Sequence, residues 1–322
     1  MTSAQYTLWG GESGADLHAE TLSQGYALVP HHVPPEAIDA YAEAYGIFTD
    51  QLPDPEPEAM NAMVLDPKNL DRLDPRADKA AQWHKYRSNV PHPGKPNGYT
   101  NRTIQVDALS KVRGLDIADD PKEFFHYSPG MRDALEARHA EFGWGPMPPE
   151  LLVLLMRAQT LHYAAKQAIT GFYRALELTH PHLSDFTAPA DLDHSPVRGV
   201  FYHKGQGDVL ADGHYDRGLG TLQLAESHLG LRTRDPQTGE MIMVERDPRM
   251  GIAFPSLKWR QASPDSELQP LWHDVINVDT ACEGRELHGG NIARWAIIFF
   301  TNSRDLADAK NIKSLTSSEV AA

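Results

Sequence analysis

The chain has 322 residues and a formal net charge of −14, with 41% apolar and 23% charged residues. That composition suits a globular protein with ample core for one large domain or two modest ones. The acidic balance argues against nucleic acid or an anionic membrane as the main partner. A single cysteine, Cys282, excludes an intrachain disulfide framework and a multi-cysteine zinc site. No basic, apolar leader opens the chain and no apolar run is long enough to span a bilayer. A soluble, cytoplasmic protein is therefore expected.

Residues 25–30, Gly-Tyr-Ala-Leu-Val-Pro, read as a short strand. Pro34-Pro35-Glu36 then opens a helix to about Gly46, because proline suits the first helical turn and an acidic side chain favours that end of the dipole. Residues 50–100 are rich in Pro, Asp and Asn and read as irregular surface with short helices. Asp120-Pro121-Lys122-Glu123 reads as a turn or a short helical start. The clearest helix begins near Pro148. Leu151, Leu154, Leu155, Ala158, Leu161, Ala165, Ile169, Phe172 and Leu176 recur at helical spacing and mark a helix laid on the core.

The character changes after residue 195. Segments 197–203, 220–225, 229–234, 241–245, 252–254, 271–278 and 293–301 are short and β-prone, with turn-rich connections. Such a run points to an antiparallel sandwich or barrel. The expected plan is α+β with a mainly β core: a largely helical region over 1–194, a β core over 195–302 and a polar tail over 303–322.

The sequence has 16 histidines, so a chance His-x-Asp is no surprise. Three His-x-acid pairs occur: His18/Glu20, His139/Glu141 and His214/Asp216. The first two lie in helical or loose segments, where i and i+2 point apart. The third stands at the mouth of a β segment. Two further residues bear on it. His273 lies in another β-prone stretch, Pro270-Leu271-Trp272-His273-Asp274-Val275-Ile276. Arg294 opens Arg-Trp-Ala-Ile-Ile-Phe-Phe, whose two faces are both apolar, so the strand is buried. A buried guanidinium needs an anion. A protein carboxylate is one candidate; a bidentately held ligand carboxylate is the other. Two histidines and a carboxylate on one side of a metal make the facial triad of non-haem Fe(II) oxygenases.

On these residues the chain resembles the Fe(II)- and 2-oxoglutarate-dependent dioxygenases, in the branch similar to isopenicillin N synthase. The family pattern is His-x-Asp, a distal His about sixty residues on, and Arg-x-Ser. Here it reads His214-Tyr-Asp216, His273 at 59 positions beyond His214, and Arg294-Trp-Ala296. Gly213-His-Tyr-Asp-Arg-Gly-Leu-Gly-Thr-Leu, Arg198-Gly-Val-Phe-Tyr-His, Gly25-Tyr-Ala-Leu-Val, Gly98-Tyr99 and Lys122-Glu123-Phe124-Phe125 resemble further landmarks, so the likeness runs from about residue 22 to 302.

The resemblance implies one catalytic domain built on a double-stranded β-helix (jelly-roll), with the helical N-terminal region packed against it. It implies Fe(II) held by His214, Asp216 and His273, with 2-oxoglutarate and O2 as cosubstrates. Arg294 would grip the distal carboxylate of 2-oxoglutarate. The outcome implied is oxidation of a small metabolite, by default hydroxylation, with release of succinate and CO2. Ala296 departs from the pattern, and Tyr202 or Thr221 is a candidate to supply the missing hydroxyl. His288, in a Gly-rich stretch before Arg294, is a rival third ligand. Trp83, His84, Lys85, Tyr86, Arg87, Asn101 and Arg102 are candidate substrate contacts. Three other readings stay open: a cosubstrate-independent iron oxidase, a non-catalytic ligand-binding barrel, and a zinc hydrolase, which would leave Arg294 without a task.

Overall fold

A computed structural model describes residues 14–51, 87–88, 97–100, 122–143, 145–177, 180, 183, 192–193, 195–203, 208–245, 247–278 and 292–301. The N-terminal elements are α1 (Gly14–Gln24), β1 (Ala27–Pro30), α2 (Pro35–Thr49), β2 (Arg87–Ser88), β3 (Asn97–Thr100), β4 (Lys122–Tyr127), α3 (Met131–Phe142) and α4 (Pro149–Glu177). Then follow β5 (Val197–His203), β6 (Val209–His214), β7 (Gly220–Glu226), β8 (Leu231–Arg234), β9 (Met241–Met243) and β10 (Met250–Pro255). Last come α5 (Trp259–Ala262), β11 (His273–Ile276) and β12 (Ile292–Thr301). No helix among the described residues is long and apolar enough to cross a membrane.

The strands form two antiparallel sheets, one ordered β1-β10-β7-β12-β5-β4-β3-β2 and one ordered β6-β11-β8-β9. Side chains alternate across a strand, and β12 shows what that alternation does. Trp295, Ile297 and Phe299 join the large apolar core beneath the helices. Ala296 and Arg294, on the opposite face, are equally buried.

Helices α2 and α4 close the outer face of the large sheet. All nine residues of the α4 stripe are buried, as its spacing predicts. On α2, Ile38, Tyr41, Ala42, Tyr45 and Phe48 share the buried face, and the Tyr45 ring stacks on Phe201 of β5 at 3.5 Å. Each large apolar side chain so buried stabilises the fold by about 1.5–3 kcal/mol. A second, smaller core lies on the inner face. Phe124, Val200, Tyr202, Ile252 and Phe254 of the large sheet meet Leu210, Ala211, Leu231 and Val275 of the small one.

Three expectations are corrected. Lys122 and Glu123, read as part of a turn or helical start, instead open strand β4, because Phe124 and the buried outer residues Phe125 and Tyr127 complete both cores when paired with β5. The N-terminal region is not simply helical: β1 to β4 lie in the same sheet as β5, β7, β10 and β12. Strand β6 was missed, since Val-Leu-Ala-Asp-Gly-His carries little β-branched or aromatic character. Its pairing with β11 supplies what its composition lacks. The expected tail over 303–322 lies outside the described residues.

Candidate active site

The β6–β11 register sets His214 opposite His273. Their ring centroids are 4.5 Å apart. The His-x-Asp spacing works differently from the strand argument: His214 ends β6, and Asp216 lies past it, in the connection to β7. That connection is tied down by backbone bonds, with Leu257 N–H donating to the Asp216 carbonyl at 2.9 Å and Lys258 N–H to that of Gly218 at 2.9 Å. The carboxylate thereby turns back toward both rings. Asp216 Oδ1 is 3.7 Å from His214 Nε2, and Oδ2 is 3.9 Å from His273 Nε2. Among the described residues this trio can hold a metal ion, its ligand atoms lying within 4.8 Å of one another.

The second ring nitrogens agree with that use. His214 Nδ1 lies 2.7 Å from the Asp212 carbonyl, and His273 Nδ1 lies 3.2 Å from that of Leu271. A carbonyl only accepts, so each Nδ1 carries the proton and each Nε2 offers its lone pair to the site. Asp216 accepts from the Thr221 hydroxyl at 2.7 Å. Burial raises the Asp216 pKa, but the charge His273 carries once protonated at low pH, with the bonds from His214 and Thr221, outweighs it and holds the carboxyl well below its usual range. It is a carboxylate at neutral pH. Burial and the neighbouring His214 push His273 down to about 4, so its ring is neutral. For His214, burial is outweighed by Asp216 and the pKa is raised. A bound cation would displace that proton.

Arg294 lies on the inner face of β12 with its side chain fully buried. Of the two readings of its partner, the protein carboxylate is present. Nη2 pairs with Glu226 of β7, and Nε donates to the His228 carbonyl at 3.3 Å. Nη1 is buried with no acceptor among the described residues. Tyr202 stands opposite Arg294 in the β5–β12 register, its ring 5.7 Å from the guanidinium carbon. Thr221 does not join them. It sits across from Phe300, and its hydroxyl is shared between Asp216 and Ser256. Ala296 is buried opposite Val200 and Glu226. The rival ligand His288, and the substrate candidates Trp83, His84, Lys85, Tyr86, Asn101 and Arg102, lie outside the described residues; Arg87 falls in β2.

Sequence reasoning missed Glu226 and Arg198. Arg198 shares the inner face of β5 with Val200 and Tyr202, a placement its two-residue spacing from them would have shown.

No protein-family model matches the chain, and no curated protein matches it. Solved structures do. Neurospora crassa T7H in complex with alpha-KG is similar at a TM-score of 0.57 and 15% identity, covering 90% of this chain and 79% of that one. A protein of the 2OG-Fe(II) oxygenase family from Caulobacter crescentus is similar at 0.54 and 19%, covering 90% and 81%. The dioxygenase for auxin oxidation 1 from Arabidopsis thaliana, solved as its 2-oxoglutarate binary complex, is similar at 0.51 and 13%, covering 92% and 89%. The chain thus has the fold of 2-oxoglutarate/Fe(II) oxygenases, and its His-Asp-His trio is a site suited to iron.

Proposed function

We propose that this protein is an Fe(II)- and 2-oxoglutarate-dependent oxygenase that hydroxylates a small-molecule metabolite, converting 2-oxoglutarate to succinate and CO2. The reading takes the chain as one catalytic domain on a jelly-roll core, of the isopenicillin N synthase-like kind, acting in the cytoplasm, with secondary metabolism as its setting. The observation that carries it is the pairing of His214 Nε2, His273 Nε2 and the Asp216 carboxylate with a buried arginine whose Nη1 has no acceptor among the described residues.

The residues fit the group. Two neutral imidazoles and a carboxylate on one side are the donor set for a non-haem ferrous ion with open positions. When bound, the iron and 2-oxoglutarate supply the O2-dependent oxidising chemistry. The chain supplies position. The Asp212 and Leu271 carbonyls fix the ring tautomers, Thr221 aims the Asp216 carboxylate, and Arg294 Nη1 offers a charged donor to a distal carboxylate. The apolar inner core, including Phe254 at 5.2 Å from the His273 ring, shields His273 from water, while the His214 side chain stays 45% exposed. A small-molecule substrate accords with the T7H complexes that hold thymine or 5-formyluracil.

One observation favours a second reading, the cosubstrate-independent oxidase. Glu226 already occupies one arm of Arg294, and Ala296 brings no hydroxyl. A single experiment separates the two. Protein loaded with Fe(II) under nitrogen and then exposed to O2 should turn 2-oxoglutarate into succinate, slowly even without a substrate. His214→Ala, Asp216→Ala and His273→Ala should each lose iron by elemental analysis. Iron retained by all three variants refutes the site. Iron bound by the unsubstituted protein with no 2-oxoglutarate binding refutes the cosubstrate and leaves the oxidase.

A further inference from the structure

The inner face of the large sheet carries a second arginine that the iron and cosubstrate leave without a task. Arg198 of β5 lies between two aromatic rings, its guanidinium carbon 5.0 Å from the Phe124 centroid and 4.5 Å from that of Phe300. Its Nε donates to His126 Nε2. Neither Nη has a protein acceptor, and no carboxylate stands at ion-pair distance, among the described residues. Burial pulls its pKa down to about 10, with Asp216 opposing the shift from a distance. It remains a cation at neutral pH, and two ring faces offset only part of what its desolvation costs.

Its position matters as much as its charge. Arg294 pairs with Tyr202, whereas Arg198 pairs with Ile298, four residues further along β12. At a strand rise of about 3.3 Å per residue, the two arginines root about 13 Å apart. Thr221, which holds Asp216, sits across from Phe300 at the Arg198 end. The distal carboxylate of a diacid gripped by Arg294 would lie at the other end of this face from the root of Arg198. Arg198 is thus a second cation on this face, without a protein carboxylate partner among the described residues.

We propose that Arg198 seats a carboxylate of the primary substrate, with Phe124 and Phe300 walling the rest of the molecule, so that the substrate is a monocarboxylic acid with an apolar or aromatic body. A planar fork with two Nη groups lacking protein acceptors matches one carboxylate. A phosphate dianion would call for more donors than a lone arginine between two phenyl rings provides. The proposal rests on the oxygenase reading for where oxidation occurs, but not for the seat itself.

The test is binding of three matched pairs to the full chain: phenylacetate and phenylacetamide, cinnamate and cinnamamide, hexanoate and hexanamide. Each is titrated calorimetrically, with and without Fe(II) and 2-oxoglutarate under nitrogen. At least one acid should bind about tenfold or more tightly than its amide, the worth of a charge-assisted hydrogen bond. Arg198→Gln should lower that acid's affinity about 10- to 100-fold and erase the preference. Arg198→Lys, which keeps the charge and loses the fork, should retain a reduced preference and guards against a folding artefact. Amides binding as well as acids, no acid binding at all, or a preference that survives in Arg198→Gln overturns the seat. Acid binding through Arg198 without succinate formation would refute the oxygenase and spare the seat. Succinate formation with no acid preference would do the reverse.

Discussion

The Arg294–Glu226 pair is the sharpest place to perturb this protein. Its side chains are 0% and 5% exposed, so neither charge can be rehydrated when the other is removed. Breaking a buried pair from one side costs about 3–5 kcal/mol, because the survivor stays buried and unpaired. Glu226→Ala strands a guanidinium whose remaining hydrogen-bond acceptor among the described residues is the His228 carbonyl. Arg294→Met strands a carboxylate that keeps a hydrogen bond from Gln223 at 2.8 Å. Each single variant should therefore lose about 3–5 kcal/mol in urea unfolding. The double variant Arg294→Met/Glu226→Leu should recover most of that loss, since an apolar pair packs where an ion pair stood. An internal control is available on α3. The exposed Arg132–Glu136 pair, at 65% and 49%, should yield no resolvable loss on Glu136→Ala, because solvent screens both charges. Additive losses in the double variant, or singles costing no more than the α3 control, would refute the claim that Arg294 is held by a buried counter-ion. Binding of 2-oxoglutarate should vanish in both variants that lack Arg294, whatever their stability.

Two further outcomes follow from the same packing. Thr221→Val removes the hydroxyl that aims Asp216 and should weaken Fe(II) binding about 10- to 100-fold, measured by competition with a chelator; an unchanged affinity would show that Asp216 is held by its backbone alone. His162 of α4 is buried between Tyr127 and Phe299 and faces the Ser195 carbonyl, and burial lowers its pKa to about 4. The unfolded chain, with a histidine pKa near 6.5, binds that proton first as pH falls, so stability should be full above pH 6.5 and decline toward pH 4. The loss attributable to this group is about 3 kcal/mol, and His162→Asn should flatten that part of the urea midpoint-versus-pH curve; an undiminished slope in the variant would place the titration elsewhere.

Much of this fold and site was legible because the relevant signals are local. The α4 stripe is a matter of spacing, and a stripe that regular has few alternatives to lying on a core. Strand β12 announced its burial through apolar residues on both faces, and that same fact made Arg294 conspicuous. His214, Asp216 and His273 emerged from a short motif, an interval and a resemblance. The sequence could not reveal β6, whose composition argues against a strand until β11 lies beside it. Nor could it show that β1 to β4 complete a sheet whose other strands come from the second half of the chain, because pairing partners distant in sequence leave no local mark. It also left Arg294's partner open. Glu226 is 68 residues away in the chain and meets the guanidinium only because β7 and β12 are neighbours across a register shift.

The sequence by itself determined which chemistry was available: two imidazoles and a carboxylate for a metal, and a buried cation for an acid. Those choices rest on residue type and short motifs, and for His273 on the interval that the family resemblance implies. Tertiary structure alone decided how the groups are shared out. It bent the segment after β6 so that Asp216 faces both rings, gave Thr221 to the carboxylate rather than to the arginine, and set Arg294 and Arg198 at opposite ends of one sheet face. The physical reason is that strand register converts positions far apart in the chain into neighbours a few ångströms apart, and register is settled by the packing of both sheet faces at once.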